Sequence, residues 1–196
     1  MSQPLRPAFM RVFIGINIPK KQRTRVHRAV RDLREGDLPV RWIAPDNFHI
    51  TLKFLGEVRR ERIPVIEEAL ERVAAGTRPF TTTLTGFGGF PTVRHPDVIW
   101  IGAGATSEFR CMKQELEWAM GDVGFGAATK AFHPHITLGR AHEARGAGVF
   151  RGLDTVLADM DLEVEVKVHT IDLMRSHISK GDARYSVLSR ARLASA

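Results

Sequence analysis

The chain has 196 residues and a formal net charge of +7, and 43% of its residues are hydrophobic, as in an ordinary globular protein of one domain or two small lobes. No apolar run approaches the roughly 20 residues that span a bilayer, and the single Cys111 excludes an internal disulfide and a cysteine-based zinc cluster. Because the N-terminus lacks an apolar stretch like that of a signal peptide, we expect a cytoplasmic protein. The excess of basic residues either keeps the protein soluble or favours binding of a polyanionic partner such as nucleic acid.

In the first half of the chain, β-branched and aromatic stretches alternate with stretches of helical periodicity. They predict, in chain order, a strand at residues 11–18, a helix at 20–36, strands at 40–45 and 48–56, and a helix at 60–75. Pro64 fits only the first turn of the second helix. The outer face of the first helix is basic. The favoured interpretation is that this face is exposed to solvent, and the alternative is that it contacts RNA.

The second half adds further strands and an amphipathic helix. It predicts a strand at residues 80–91 that ends in a glycine-rich turn, a strand at 98–104, a helix from Thr106, a strand at 132–140, a short helix within 141–160, and a hairpin of 162–179 with 185–193 around residues 180–182. This order of strands and helices indicates an α+β fold. Two related lobes would bring a motif that is repeated in the two halves face to face.

The repeated motif is His-Ile-Thr-Leu, which occurs at residues 49–52 and again at 135–138. Side chains two residues apart in a strand point to the same side, so His49 and Thr51 share one face, opposite Phe54 and the apolar residues of the motif. The second copy repeats this arrangement. Polar surface positions on two amphipathic strands are a simpler explanation, but two copies of the same four residues disfavour it.

Two opposed histidine–threonine pairs suit an in-line displacement at phosphorus, in which the attacking and leaving oxygens lie on opposite sides. Histidine can act as an acid or a base near neutral pH, so two histidines can accept one proton and supply another. The threonine hydroxyls can donate hydrogen bonds to the non-bridging phosphoryl oxygens. This chemistry needs no metal and no cofactor.

The motifs and their flanks, RWIAPDNFHITLKFLGEV and FHPHITLGR, resemble the two-histidine phosphoesterase superfamily. From RVFIGINIP to YSVLSRARL, the chain is similar to the bacterial and archaeal RNA 2',3'-cyclic phosphodiesterases, also called 2'-5' RNA ligases. This resemblance implies one bilobal domain over residues 1–196, with two pseudo-symmetric lobes that are each an antiparallel sheet with outer helices around a central cleft. It also implies metal-independent opening of a terminal 2',3'-cyclic phosphate on RNA to a 2'-phosphomonoester.

Carried over to this sequence, the resemblance assigns a role to each residue of the two polar pairs. It implies that His49 donates a proton to the leaving ribose oxygen and that His135 is the base that activates water. It implies that Thr51 and Thr137 hold the phosphate.

The same resemblance implies that Arg140 adds a cation for the phosphate. Strict alternation along the strand places Arg140 opposite His135, so this contact requires a bend, which Gly139 permits. The first motif has Phe54 at the position that matches Arg140, so the two halves differ chemically there.

Other histidine and aromatic residues have less specific interpretations. His133 shares a strand face with His135 and suggests a metal site, but no carboxylate lies nearby in the sequence, so a packing or orienting role is favoured and no metal is expected. Core packing is likewise favoured for Phe48 and Phe132, although either residue could border the cleft and stack on a base.

Two alternatives to hydrolysis remain open on the sequence. Ligation of RNA ends through a 2'-5' bond without ATP uses the same geometry. Water is far more concentrated than RNA ends, so hydrolysis should dominate unless water is excluded from the site. A non-catalytic protein that binds RNA ends would not need a paired acid and base. The expected partner is an RNA end with a 2',3'-cyclic phosphate, as in tRNA fragments. The protein is expected to be a monomer and not to associate with a membrane.

Overall fold

The computed structural model describes residues 8–143, 146, 148–179 and 182–194. The described residues form nine strands, which all pair in antiparallel fashion in one sheet, and five α-helices. The strands are β1 (Phe9–Asn17), β2 (Val40–Trp42), β3 (His49–Arg59), β4 (Phe80–Pro91), β5 (Pro96–Ala103), β6 (His135–Ala141), β7 (Val164–Val168), β8 (Thr170–Ser179) and β9 (Asp182–Arg192). The helices are α1 (Lys20–Ala29), α2 (Arg31–Glu35), α3 (Ile63–Gly76), α4 (Ser107–Asp122) and α5 (Leu153–Asp159).

The two histidine strands lie at the centre of the sheet. The strand order is β7–β4–β5–β6–β3–β1–β8–β9, with β2 paired to β6. Apart from β2, four strands therefore lie on each side of the midline, and β6 and β3 are the innermost strands of the two halves. They pair antiparallel at Ile50 and Ile136, the isoleucines of the two motifs. This arrangement confirms the predicted α+β fold with one motif in each of two related lobes.

One hydrophobic cluster lies beneath the sheet and joins its two halves. Ile50 and Ile136 are completely buried in it, and the helices contribute residues such as Leu70 of α3 and Leu116 of α4. Helix α3 packs on β8, β9 and α4, whereas α1 contacts β7 and α5 contacts β4. The helices cover the apolar side of the sheet, so the polar side of the histidine strands remains accessible. Within the described ranges, none of the helices has the length and apolar character needed to cross a lipid bilayer.

Two predicted segments are divided in the structure. The helix predicted at residues 20–36 is two helices, because buried Val30 leaves helical geometry with φ −96° and ψ 17°. Residues 162–179 form two strands in opposite halves of the sheet, since β7 pairs with β4 and β8 with β1. The closing hairpin is formed by β8 and β9, and residues 180 and 181 of its predicted turn lie outside the described residues.

The glycine-rich end of residues 80–91 is a strand and not the predicted turn. Strand β4 continues to Pro91, and Gly88 pairs with Trp100 of β5. A Cβ atom at Gly88 would lie less than 3.0 Å from the indole ring of Trp100. These glycines therefore allow close approach of a large cross-strand side chain, which composition alone does not distinguish from a turn.

Candidate active site

Both histidine strands carry a β-bulge at the last residue of the motif. Leu52 has no partner in the pairing of β3 with β1, and Leu138 has none in the pairing of β6 with β5. Each extra residue reverses the alternation of side chains, so Phe54 and Arg140 both face the cleft. The prediction that Phe54 lies on the core face with Ile50 is wrong, because 69% of its surface is exposed.

The residue that follows the extra residue differs between the two halves. In β3 it is Lys53, which is buried and bound to Glu117 of α4. In β6 it is Gly139, where a Cβ atom would approach the Trp42 ring to 2.9 Å and Val40 still more closely. Gly139 therefore lets β2 pack against β6, and the extra residue Leu138, not a bend at Gly139, turns Arg140 toward the cleft.

A cleft of about 440 Å³ opens between the two histidine strands. The five predicted site residues all line it: His49, Thr51, His135, Thr137 and Arg140. Sequence reasoning missed several other residues that line the cleft: Arg11, Phe13, Arg41, Asn47, Ser176 and Tyr185. Most of these lie on β1, β2, β8 and β9, and no motif or spacing distinguishes them from other polar and aromatic strand residues.

The two imidazoles are held in the same way. Nδ1 of His49 lies 2.7 Å from the carbonyl oxygen of Asn47, and Nδ1 of His135 lies 2.7 Å from that of His133. A carbonyl oxygen can only accept a hydrogen bond, so Nδ1 carries the hydrogen in both rings. Nε2 is therefore the ring nitrogen that is left to exchange a proton, and in His49 it also lies 3.2 Å from the hydroxyl oxygen of Thr51.

Aromatic rings fix the positions of both imidazoles. The rings of Phe13 and Tyr185 each lie 4.8 Å from the His49 ring, measured between centroids, and the Phe90 ring lies 5.1 Å from the His135 ring. These contacts restrict rotation of the imidazoles and remove part of their surface from water. The site thus has two oriented proton carriers, two hydroxyl donors and a guanidinium group around one cleft.

Known proteins resemble this chain over most of its length. The family model described as "LigT like Phosphoesterase" matches residues 16–100. A protein from Aeropyrum pernix named RNA 2',3'-cyclic phosphodiesterase is 34% identical over 175 residues, which cover 87% of this chain and 96% of that protein. The chain belongs to the LigT-like phosphoesterase family. A Methanothermobacter thermautotrophicus protein of the same name is 27% identical to this LigT-like phosphoesterase, over 94% of this chain and 99% of the relative.

Solved structures show the same fold. The crystal structure of TT0787 from Thermus thermophilus matches with a TM-score of 0.77 and 26% identity, over 94% of this chain and 98% of that chain. The crystal structure of Escherichia coli LigT in complex with 3'-AMP matches with a TM-score of 0.74, 26% identity and the same coverage of both chains. The resemblance to the two-histidine phosphoesterases, drawn from the motifs and their flanks, is confirmed.

His133 of this LigT-like phosphoesterase has a packing and orienting position. Its ring lies 4.8 Å from the Trp100 ring and 5.4 Å from the Phe90 ring, and its carbonyl oxygen accepts the Nδ1 hydrogen of His135. Across the part of the chain that the structure describes, no three histidine, cysteine, aspartate or glutamate side chains are grouped as ligands of a metal ion.

The aromatic residues that precede the two motifs pack against the core. Phe48 is 1% exposed and belongs to the core, as predicted. Phe132 is half-buried, and its ring lies 5.7 Å from that of Phe109. Neither residue lines the cleft. The aromatic rings beside His49 are those of Tyr185 and Phe13.

The pKa values of both cleft histidines are lowered from the ordinary histidine value. Burial is the main cause for His49, and the charges of His135 and Arg140 add to it. Burial is also the main cause for His135, with the charges of His133 and Arg140 adding to it. The backbone carbonyls that accept from Nδ1 raise the pKa of each ring, but they do not outweigh burial. Burial in the cleft therefore favours neutral imidazoles, and the charge of a bound anion would oppose this preference.

Proposed function

We propose that this LigT-like phosphoesterase hydrolyses the terminal 2',3'-cyclic phosphate of RNA to a 2'-phosphomonoester. The observation that carries the proposal is the pair of equally oriented imidazoles, whose Nε2 atoms share one cleft with two threonine hydroxyls and Arg140. Binding alone would not require two oriented proton carriers. The relatives named RNA 2',3'-cyclic phosphodiesterase support the choice of substrate.

In the proposed reaction, neutral His135 accepts a proton from water at Nε2 while the water oxygen attacks phosphorus. The bond between phosphorus and O3' breaks on the opposite side, and protonated His49 gives its Nε2 proton to O3'. Thr51, Thr137 and Arg140 hold the non-bridging oxygens, whose charge grows as the new bond forms. The phosphate remains on O2', and the next turnover begins once the proton has returned from His135 to His49 through solvent.

RNA ends, including those of tRNA fragments, are the proposed partner of a monomeric enzyme, because one chain supplies both histidines and both threonines. Hydrolysis is favoured over 2'-5' ligation because the cleft is open to solvent, where water outcompetes dilute RNA hydroxyls.

An oligonucleotide with a 2',3'-cyclic phosphate, incubated with the protein in excess EDTA, should yield a 2'-phosphate at the same rate as without EDTA. Chromatography against synthetic 2'- and 3'-phosphate standards identifies the product. Loss of activity in EDTA that a divalent ion restores would overturn the metal-independent mechanism. A 3'-phosphate product would show that O2' is the leaving oxygen.

The pH dependence of kcat/KM should have its maximum below the ordinary histidine pKa of about 6.5. Catalysis needs one protonated and one neutral imidazole, and both pKa values are lowered in the free enzyme, so the singly protonated form is most abundant at a more acidic pH. The maximum of kcat should lie at higher pH, because the bound phosphate anion favours protonated histidine. Initial rates across the pH range test this, and a kcat/KM maximum above the ordinary histidine pKa would contradict it.

A further inference from the structure

Trp118 of α4 exposes its indole ring to solvent. It is 58% exposed, whereas Trp42 and Trp100 are partly buried. A single exposed aromatic residue is common and needs no functional explanation. The surroundings of Trp118 therefore decide whether it forms part of a binding surface.

A groove of about 790 Å³ lies beside Trp118, between α4 and the segment at residues 127–132. Arg110, Gln114 and Trp118 line it from the helix. Because these residues are spaced by four positions, their side chains lie on one face of α4. Ligand sites have volumes of about 300–1,000 Å³, so the groove has room for a nucleotide.

The groove has an excess of positive charge. Arg110 and Lys130 line it and are exposed, and no carboxylate among the described residues forms an ion pair with either of them. Two carboxylates also line the groove, those of Glu117 and Asp122. Glu117 is already bound by two buried lysines, so among the described lining residues Asp122 alone opposes the two cations.

A second cavity, of about 810 Å³, joins this groove to the catalytic cleft. It shares Lys130 and Phe132 with the groove. It shares Thr51, Phe54 and His135 with the cleft. The cleft, the cavity and the groove therefore form one continuous surface that leads from the two imidazoles to the indole on α4.

An RNA chain that ends in a cyclic phosphate can follow this surface. Its phosphorus is joined to the terminal ribose through O2' as well as O3', and O2' does not lie on the line of displacement between the imidazoles. The ribose therefore projects to the side of that line, where the cavity opens beside Thr51 and Phe54. Apolar side chains such as Phe90 and Val98 line the cavity together with the carboxylate of Asp97. This lining suits uncharged sugar and base groups, whereas the cations of the groove suit phosphates.

We propose that the single-stranded RNA on the 5' side of the cyclic phosphate runs from the cleft through this cavity into the groove. There, one base stacks on Trp118, and phosphates contact Arg110 and Lys130. Binding of single strands without sequence preference combines aromatic stacking with a basic groove in this way. The inference rests on the proposed function, because it takes the cyclic end to be bound between the histidines. The enzyme should then favour chains of several nucleotides, since a mononucleotide ends in the cleft and does not reach Trp118.

The first test compares a hexanucleotide that ends in a 2',3'-cyclic phosphate with a 2',3'-cyclic mononucleotide. Trp118→Ala should lower kcat/KM on the hexanucleotide by about tenfold or more, and on the mononucleotide by less than about twofold, because only the hexanucleotide loses a stacked base. Arg110→Gln and Lys130→Gln should each lower the slope of log kcat/KM against log salt by about 0.7 on the hexanucleotide alone.

The second test reads Trp118 directly through its fluorescence. Titration with the uncleavable product, a hexanucleotide with a terminal 2'-phosphate, should quench the emission of the wild-type protein, since a stacked base quenches an indole. Trp118→Phe keeps a ring for stacking, so it should bind the hexanucleotide with similar affinity but lose this quench. Fluorescence anisotropy of a labelled hexanucleotide measures the affinity.

Phe9→Ala is the matched control, because this exposed aromatic ring lies outside the residues that line the cleft, the cavity and the groove. Thermal unfolding of each variant checks that the fold is retained. Equal losses on both substrates, no loss on either, a wild-type enzyme without preference for the hexanucleotide, or an undiminished quench in Trp118→Phe would overturn the assignment.

Two further outcomes separate this inference from its alternatives. Self-association that Trp118→Ala abolishes without an effect on RNA would assign the groove to a second copy of this chain and overturn the RNA path. If the wild-type protein cleaves neither substrate, the proposed function fails, whereas the quench still decides whether the hexanucleotide binds at Trp118.

Discussion

Replacement of either His49 or His135 by alanine should lower kcat on a cyclic-phosphate oligonucleotide by at least about 100-fold, the lower range for loss of a general acid or base. Both Nε2 atoms face the same cleft, and each serves one of the two proton transfers. His95→Ala is the control, because this exposed histidine lies outside the cleft-lining residues. Quench-flow or steady-state rates at the pH optimum measure the effect, and an unimpaired His49→Ala or His135→Ala would refute the two-histidine mechanism.

The division of roles between the histidines can be tested with a better leaving group. A phosphodiester that releases nitrophenolate needs no proton donor, so His49→Ala should recover most of its rate on this substrate. His135→Ala should remain slow, because water must still be activated. Rescue of His135→Ala instead of His49→Ala would show that the acid and the base are exchanged. Thr51→Ala and Thr137→Ala should have smaller effects, since each removes one hydrogen-bond donor and leaves the proton path intact.

The repeated motif was enough to predict that the two histidine–threonine pairs meet in the cleft. Two strands with the same His-Ile-Thr-Leu sequence bury their isoleucines in the same core, so their polar pairs must face the same way. The position of Phe54 could not be derived in this way. A bulge adds one residue without changing composition, and the alternation rule fails at that point. Phe54 and Arg140 do occupy corresponding positions, because both strands contain the bulge at the same point of the motif.

The remaining cleft residues depend on long-range pairing. Tyr185 reaches His49 because β9 pairs with β8 and β8 with β1, and Arg41 faces Arg140 because β2 joins β6. Local patterns predict that these residues are in strands, but they do not predict which strands become neighbours. The same limit explains why the sequence predicts one strand at residues 162–179, although β7 and β8 pair in opposite halves of the sheet.

The bulge in β3 also creates a buried charge whose loss should be costly. Nζ of Lys53 lies 2.5 Å from a carboxylate oxygen of Glu117 and 2.8 Å from the carbonyl oxygen of Gly126, and Lys113 binds the other carboxylate oxygen. The Lys53 side chain is 4% exposed and the Glu117 side chain 15%. Burial raises the pKa of Glu117, but the hydrogen bonds from Lys113 and Lys53 outweigh it, so the net pKa is lowered. Glu117 is thus ionised and compensates two buried ammonium groups beside the cleft strand.

Glu117→Ala should therefore destabilise the fold by about 3 kcal/mol, because it leaves Lys53 buried without its carboxylate. For a chain of this length, the midpoint of thermal unfolding should fall by about 6 to 12 °C. The carboxyl pKa is lower in the folded than in the unfolded state, so this stabilisation is present above the ordinary carboxyl value and is lost as the pH falls through the folded value. The difference between wild type and variant should accordingly shrink in acid.

Glu68→Ala is the matched control for Glu117→Ala, because Glu68 forms an exposed ion pair with Arg72 one turn along α3. Its removal should change stability by no more than about 0.5 kcal/mol. Adding Lys53→Met to Glu117→Ala should recover part of the loss, since the uncompensated charge is then removed together with its former partner. Equal effects of Glu117→Ala and Glu68→Ala in calorimetry, or no recovery with Lys53→Met, would show that the buried ion pair does not hold the bulged strand in place.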